Sequence, residues 1–88
     1  MCRSIRVLHD FAPPTTDEEI RAAALQYVRK VSGMTKPTRG SEAAFERAVT
    51  ELFDVTKRLL GELPARSEPR TREGEREKAK LRWERRST

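Results

Sequence analysis

Residues 16–33 read TDEEIRAAALQYVRKVSG, and this stretch decides the fold class. Thr16 and Glu19 stand at the spacing of a capping box, in which the hydroxyl accepts from the backbone N–H three residues on and the carboxylate reaches back to the Thr16 N–H. Asp17, Glu18 and Glu19 crowd the first turn, where the positive end of a helix dipole favours acids. Gly33 tolerates the left-handed conformation that closes a helix. A helix is therefore predicted from this acidic turn to about Ser32. At 100° per residue, Ile20, Ala23, Ala24, Tyr27 and Val31 share one apolar face. Leu25 and Val28 widen that face beyond what one partner helix covers, so the helix is expected to have two neighbours.

The first neighbour follows in sequence. Ser41 is a suitable N-cap with Glu42 just inside, and a second helix is predicted over about Glu42 to Leu60. Phe45, Ala48, Val49, Leu52, Thr56, Leu59 and Leu60 fall within roughly 120° of one another, the width of a core-facing stripe. The rest of that helix is charged or polar, with Asp54 and Arg58 in the favoured i,i+4 order. Gly61 and Pro64 punctuate its end. Residues 33–41, GMTKPTRGS, connect the two helices.

Residues 2–11, CRSIRVLHDF, place Cys2, Ile5, Leu8 and Phe11 three apart. That suits a short helical or 3₁₀ turn, while Ile5 and Val7 also allow an extended strand. This segment is the expected second neighbour of the first helix. Ala12-Pro13-Pro14 makes a rigid connector, because proline holds the preceding residue in an extended conformation.

The remainder of the chain differs in kind. Hydrophobic residues are 35% and charged residues 38% of the sequence, and the apolar ones concentrate before residue 65. Beyond it the large apolar side chains are Leu81 and Trp83, on opposite sides of any helix formed there. The formal net charge of +5 divides into +1 up to residue 64 (10 Lys/Arg, 9 Asp/Glu) and +4 from residue 65 onward (9 Lys/Arg, 5 Asp/Glu). The basic balance therefore says little about nucleic-acid binding by the folded part. The expected architecture is all-α. Residues 1–63 form a small antiparallel two-helix hairpin closed by the N-terminal segment. Residues 64–88 form a charged flexible tail, disordered or a solvated helix.

The chain resembles a family of short bacterial proteins known as domain of unknown function 2277. The resemblance rests on Met-Cys-Arg-Ser-Ile-Arg at 1–6, Phe11 to Thr15, RAAALQYVRKVSG at 21–33, Lys36-Pro37 and SEAAFERAV at 41–49, and spans residues 1 to about 60. Ser4 and Ser41 stand where the family is associated with asparagine, and both substitutions keep a polar, cap-competent side chain. The resemblance implies a family identity and no activity.

The residue inventory excludes several chemistries. One histidine, His9, and one cysteine, Cys2, cannot supply the four N/S ligands of a structural zinc site. Gly33 and Gly40 lack the spacing of a P-loop or dinucleotide fold. The connector offers no acidic calcium ligands, and no carboxylate pair sits in an apolar context suited to acid/base work. No enzyme, cofactor or metal is expected. A single cysteine, no membrane-length apolar run and no secretory h-region lead to a cytoplasmic expectation.

Four features hold functional readings beside plainer ones. Cys2 is a reactive thiol if the neighbouring Arg3, Arg6 and His9 lower its pKa, or a small buried hydrophobe in phase with Ile5, Leu8 and Phe11; the second is preferred. Tyr27 is a base-stacking platform or, as its phase with Ile20, Ala24 and Val31 favours, a core residue. Arg29 and Lys30 contact phosphate or form a solvated helix face. Thr35, Lys36, Thr38, Arg39 and Ser41 form an anion-binding connector at a helix N-terminus, or an exposed loop with a helix cap. The helix–connector–helix pattern is not a DNA-reading helix-turn-helix, whose turn is half as long. The expected function is non-catalytic binding of a protein, a second copy, or a phosphate-bearing ligand such as nucleic acid, with no membrane partner. The alternative is a thiol-dependent redox or enzymatic role through Cys2.

Overall fold

The computed structural model describes residues 5–65 and 68–87, and among them the fold is all-α, with three helices and no strand. Helix α1 spans Asp17–Ser32, α2 Glu42–Glu62 and α3 Arg72–Ser87. The opening of α1 is a complete capping box. Glu19 N–H donates to Thr16 Oγ1 at 3.2 Å, and Thr16 N–H donates to Glu19 Oε1 at 2.9 Å. Gly33 closes the helix at φ 74°, its N–H bonded to the Arg29 carbonyl.

Helix α2 passes through Gly61 and stops at Leu63, whose N–H reaches the Leu59 carbonyl. A lone glycine costs only about 1 kcal/mol inside a helix, and Pro64 supplies the stop. Ser41 stands at the N-cap of α2 as expected, but its hydroxyl makes no bond to the helix. It pairs instead with the Thr38 hydroxyl.

Helices α1 and α2 pack on each other in opposite directions. Asp17 at the start of α1 meets Lys57 near the end of α2 at 3.1 Å, while Ala24 and Val28 share a buried cluster with Phe45 and Val49. Leu8 and Ile20 are buried as well. Phe53 packs against the same cluster, with the Arg21 guanidinium and the Lys57 ammonium over its ring at 5.3 and 5.7 Å. The core lies on the Ile20–Ala24–Val28 line of α1. That corrects the expectation for Tyr27 and Val31: they share the broad apolar arc but stand 50% and 69% exposed.

Residues 5–10 are neither a helical turn nor a strand, but a bent segment. Its end is tied to the chain beyond α2. Phe11 and Arg70 form an isolated parallel β-bridge, in which Arg70 N–H donates to the Asp10 carbonyl at 2.7 Å and Ala12 N–H to the Arg70 carbonyl at 2.8 Å. Asp10 adopts φ 57° there, a conformation that aspartate tolerates better than most residues. Thr71 then caps α3 by accepting from the Gly74 N–H at 2.9 Å. A Cβ on Gly74 would lie 2.8 Å from that hydroxyl. The glycine therefore sits inside the first turn of a helix and does not break one.

Candidate functional site

The bridge carries Arg70 and Arg72 beneath the start of α1. A guanidinium is a planar fork of donors, and Arg72 spreads its own over four acceptor contacts. It donates to Glu19 Oε1 at 2.6 Å and Oε2 at 3.1 Å, to the Pro13 carbonyl at 2.8 Å and to the Pro14 carbonyl at 3.2 Å. It also lies over the Phe11 ring at 5.3 Å. Arg70 donates to the His9 carbonyl at 2.7 Å and pairs with Glu75 at 3.3 Å. Arg6 reaches Glu19 Oε2 from the other side, also at 3.3 Å. The Arg72 bonds, then the Thr16 N–H, lower the Glu19 pKa from its ordinary 4.5 to about 2. One carboxylate thus caps α1 and anchors the entrance of α3.

Above this junction, residues 5–11 and α3 enclose a cleft of about 670 Å³, within the size range of small-molecule sites. Ile5, Val7, Leu8, Phe11 and Ala79 give it apolar walls, and Arg6, Arg72, Arg76 and Arg82 outnumber Glu19 and Glu75. Arg72 and Arg6 are committed to Glu19, whereas Arg76 and Arg82 make no ion pair among the described residues. Among the described residues the lining holds no histidine, cysteine or hydroxyl side chain, and Glu19 is ionised at neutral pH. The lining thus sets unpaired guanidinium groups beside apolar side chains.

The family model described as Uncharacterized conserved protein (DUF2277) matches residues 1–78. The chain belongs to the DUF2277 family. The matched span runs well past residue 60, through Arg70 and Arg72 into the first half of α3. In this DUF2277 chain the arginine junction and the N-terminal wall of the cleft therefore fall inside the family region, while Ala79 and Arg82 lie beyond it. No curated protein and no solved structure matches the chain.

The described residues singled out as site candidates in the sequence lie elsewhere. In the connector, Arg29 Nε donates to the Thr35 carbonyl at 2.9 Å, the Thr38 and Ser41 hydroxyls bond each other, and the Gly40 N–H donates to Glu42 Oε2 at 3.0 Å. Lys36 and Arg39 carry no ion pair among the described residues. The Glu42 carboxylate thus occupies a backbone donor that an anion would need. Lys30 is exposed on α1, away from the cleft lining. Cys2 lies outside the described residues. Tyr27 lines a second, apolar groove of about 260 Å³ on the α1–α2 face, with Ile5, Leu8, Ala23, Leu52, Thr56 and Leu60. Sequence reasoning missed Arg72, Arg76 and Arg82. Their signal was spacing: Arg72, Arg76, Ala79 and Arg82 recur at intervals of three or four residues, visible only once that segment is read as one helix.

Proposed function

We propose that this DUF2277 protein is a non-catalytic binding module whose ligand carries phosphate and an apolar moiety. In this reading α1 and α2 form the hairpin, residues 5–16 close it through buried Leu8, and α3 is a charged, solvated arm that supplies one wall of the site. The observation that carries it is the pair Arg76 and Arg82, unpaired among the described residues, facing an apolar wall in the cleft. Guanidinium forks match phosphate oxygens in geometry and charge, and the apolar wall suits the remainder of a nucleotide. The cleft is preferred to the connector because the connector's hydroxyls, Gly40 N–H and Arg29 already have partners within the chain. A reducing cytoplasm is the compartment this reading carries, on the single cysteine.

The test is an NMR titration of the full chain with inorganic phosphate, adenosine monophosphate and a short single-stranded oligonucleotide. Trp83 fluorescence serves as a second reporter, since Trp83 follows Ala79 on the same face of α3. The expected result is amide shifts confined to residues 5–11 and 72–83, weakened by salt and abolished in Arg76→Ala/Arg82→Ala. Shifts centred on residues 35–43 would move the site to the connector. No saturable shift at millimolar ligand would end the proposal.

A further inference from the structure

We infer that the cleft between residues 5–11 and α3 selects phosphate monoesters over phosphodiesters, an inference that rests on the binding role proposed above. Its ligand is then a small molecule with a terminal phosphate on an apolar body, and not the backbone of a nucleic acid. The number and placement of the charges carry this. Four guanidiniums line the cleft, those of Arg6, Arg72, Arg76 and Arg82, against the carboxylates of Glu19 and Glu75, an excess of two positive charges. Both carboxylates are matched within the chain, Glu19 by Arg72 and Arg6, Glu75 by Arg70 and Lys78. Arg76 and Arg82 have no ion pair among the described residues. Along α3 the one acid at neighbour spacing from either is Glu73, three residues before Arg76, and no ion pair joins the two. Two guanidiniums are therefore left for a ligand.

Their placement suits one group with two charges. Ala79 lies three residues from each and also lines the cleft. By helix position the two arginines flank this small side chain, separated by roughly 9 Å of rise. Two long arginine stems can converge across that span on one phosphate, whose oxygens accept from both forks. The opposite wall, Ile5, Val7, Leu8 and Phe11, is apolar. It suits the body that the phosphate is attached to and penalises a second anionic group. A phosphate monoester carries close to two charges above its second pKa of about 6 and so matches both guanidiniums. A diester carries one charge and leaves a guanidinium unmatched.

The test is an NMR titration of the full chain with phenyl phosphate and methyl phenyl phosphate at about pH 8, where the monoester is dianionic. The two probes share an aromatic body and differ by one charge. The monoester should bind about tenfold tighter or more, the worth of one charge-assisted hydrogen bond. Arg76→Gln and Arg82→Gln should each bring that ratio towards one, with helical circular dichroism retained because both side chains are exposed. Inorganic phosphate, which lacks the body, should bind more weakly than phenyl phosphate. An oligonucleotide with a 5′-hydroxyl end, all of whose phosphates are diesters, should not displace phenyl phosphate at roughly 0.15 M salt. Equal affinity for the two esters overturns the inference and leaves the cleft a binding site, as does displacement by that strand. A ratio that survives Arg76→Gln/Arg82→Gln overturns the assignment to these arginines. Inorganic phosphate binding as tightly as phenyl phosphate overturns the role of the apolar wall. Saturable shifts with none of the probes at millimolar concentration would instead overturn the binding role itself.

Discussion

The α1–α2 pair and the junction of α3 with the N-terminal segment are held together by different forces. In the first, Ala24, Val28, Phe45 and Val49 exclude water from a small cluster with no polar side chain buried beside it among the described residues. In the second, almost everything is a directed bond: two ladder bonds at the Phe11–Arg70 bridge, the Arg70 bond to His9, and the Arg72 fork on Glu19 and two proline carbonyls. Apolar packing is non-directional and scales with area. A charged, part-exposed network depends on pH, salt and the loss of single donors. The two regions are therefore expected to fail under different perturbations.

The largest effect belongs to the apolar cluster. Phe45→Ala should cost about 3–5 kcal/mol, as loss of a packed phenyl ring does, which approaches the whole stability of a small domain. Chemical denaturation with circular dichroism measures it. An unchanged midpoint would mean that Phe45 is not packed.

Arg72→Ala should leave the α1–α2 cluster folded but release α3. The readout is hydrogen exchange, with protection lost across residues 70–80 and kept across residues 45–55. A uniform loss of protection would make the molecule one cooperative unit and erase the contrast between the regions. The pH dependence sharpens the same contrast. Glu19 titrates at about 2 in the folded chain against an ordinary 4.5. A depressed carboxylate pKa contributes stability above the ordinary value, and that contribution disappears as pH falls from 4.5 towards 2. The melting temperature of the wild type should drop through this window, and in Arg72→Ala the drop should shrink. An equally steep drop in both would assign the acid sensitivity to other carboxylates.

The smallest effects separate the two helix caps. Thr16→Ala removes a bonded cap and should cost about 1 kcal/mol. Ser41→Ala removes a hydroxyl with no bond to its helix and should cost a few tenths of a kcal/mol at most, because only the Thr38 pairing is lost. Equal losses in the two variants, measured by denaturation midpoint, would show that Ser41 caps α2 in solution.

Local signals settled much of this molecule. The capping box at Thr16, the stop at Gly33, the start of α2 after Ser41 and the stripe through Phe45 and Val49 were legible in the sequence. Each rests on interactions between residues at most four apart or on the helical repeat. Residue pattern also carried the family, through blocks as distinctive as RAAALQYVRKVSG. Where the stripe of α1 faces was not legible. Seven apolar residues spread over a broad arc, and only packing against α2 chose Ile20, Ala24 and Val28 over Tyr27 and Val31. The candidate cleft was least legible, because it joins residue 19 to residue 72 and residue 11 to residue 70. No periodicity encodes contacts of that separation. Periodic pattern determined by itself that α1 and α2 are helices and where each begins, while it left residues 72–87 open between a disordered tail and a solvated helix. The tertiary structure alone decided which face of α1 is buried and which arginines meet Glu19, because long-range partners depend on how the whole chain closes.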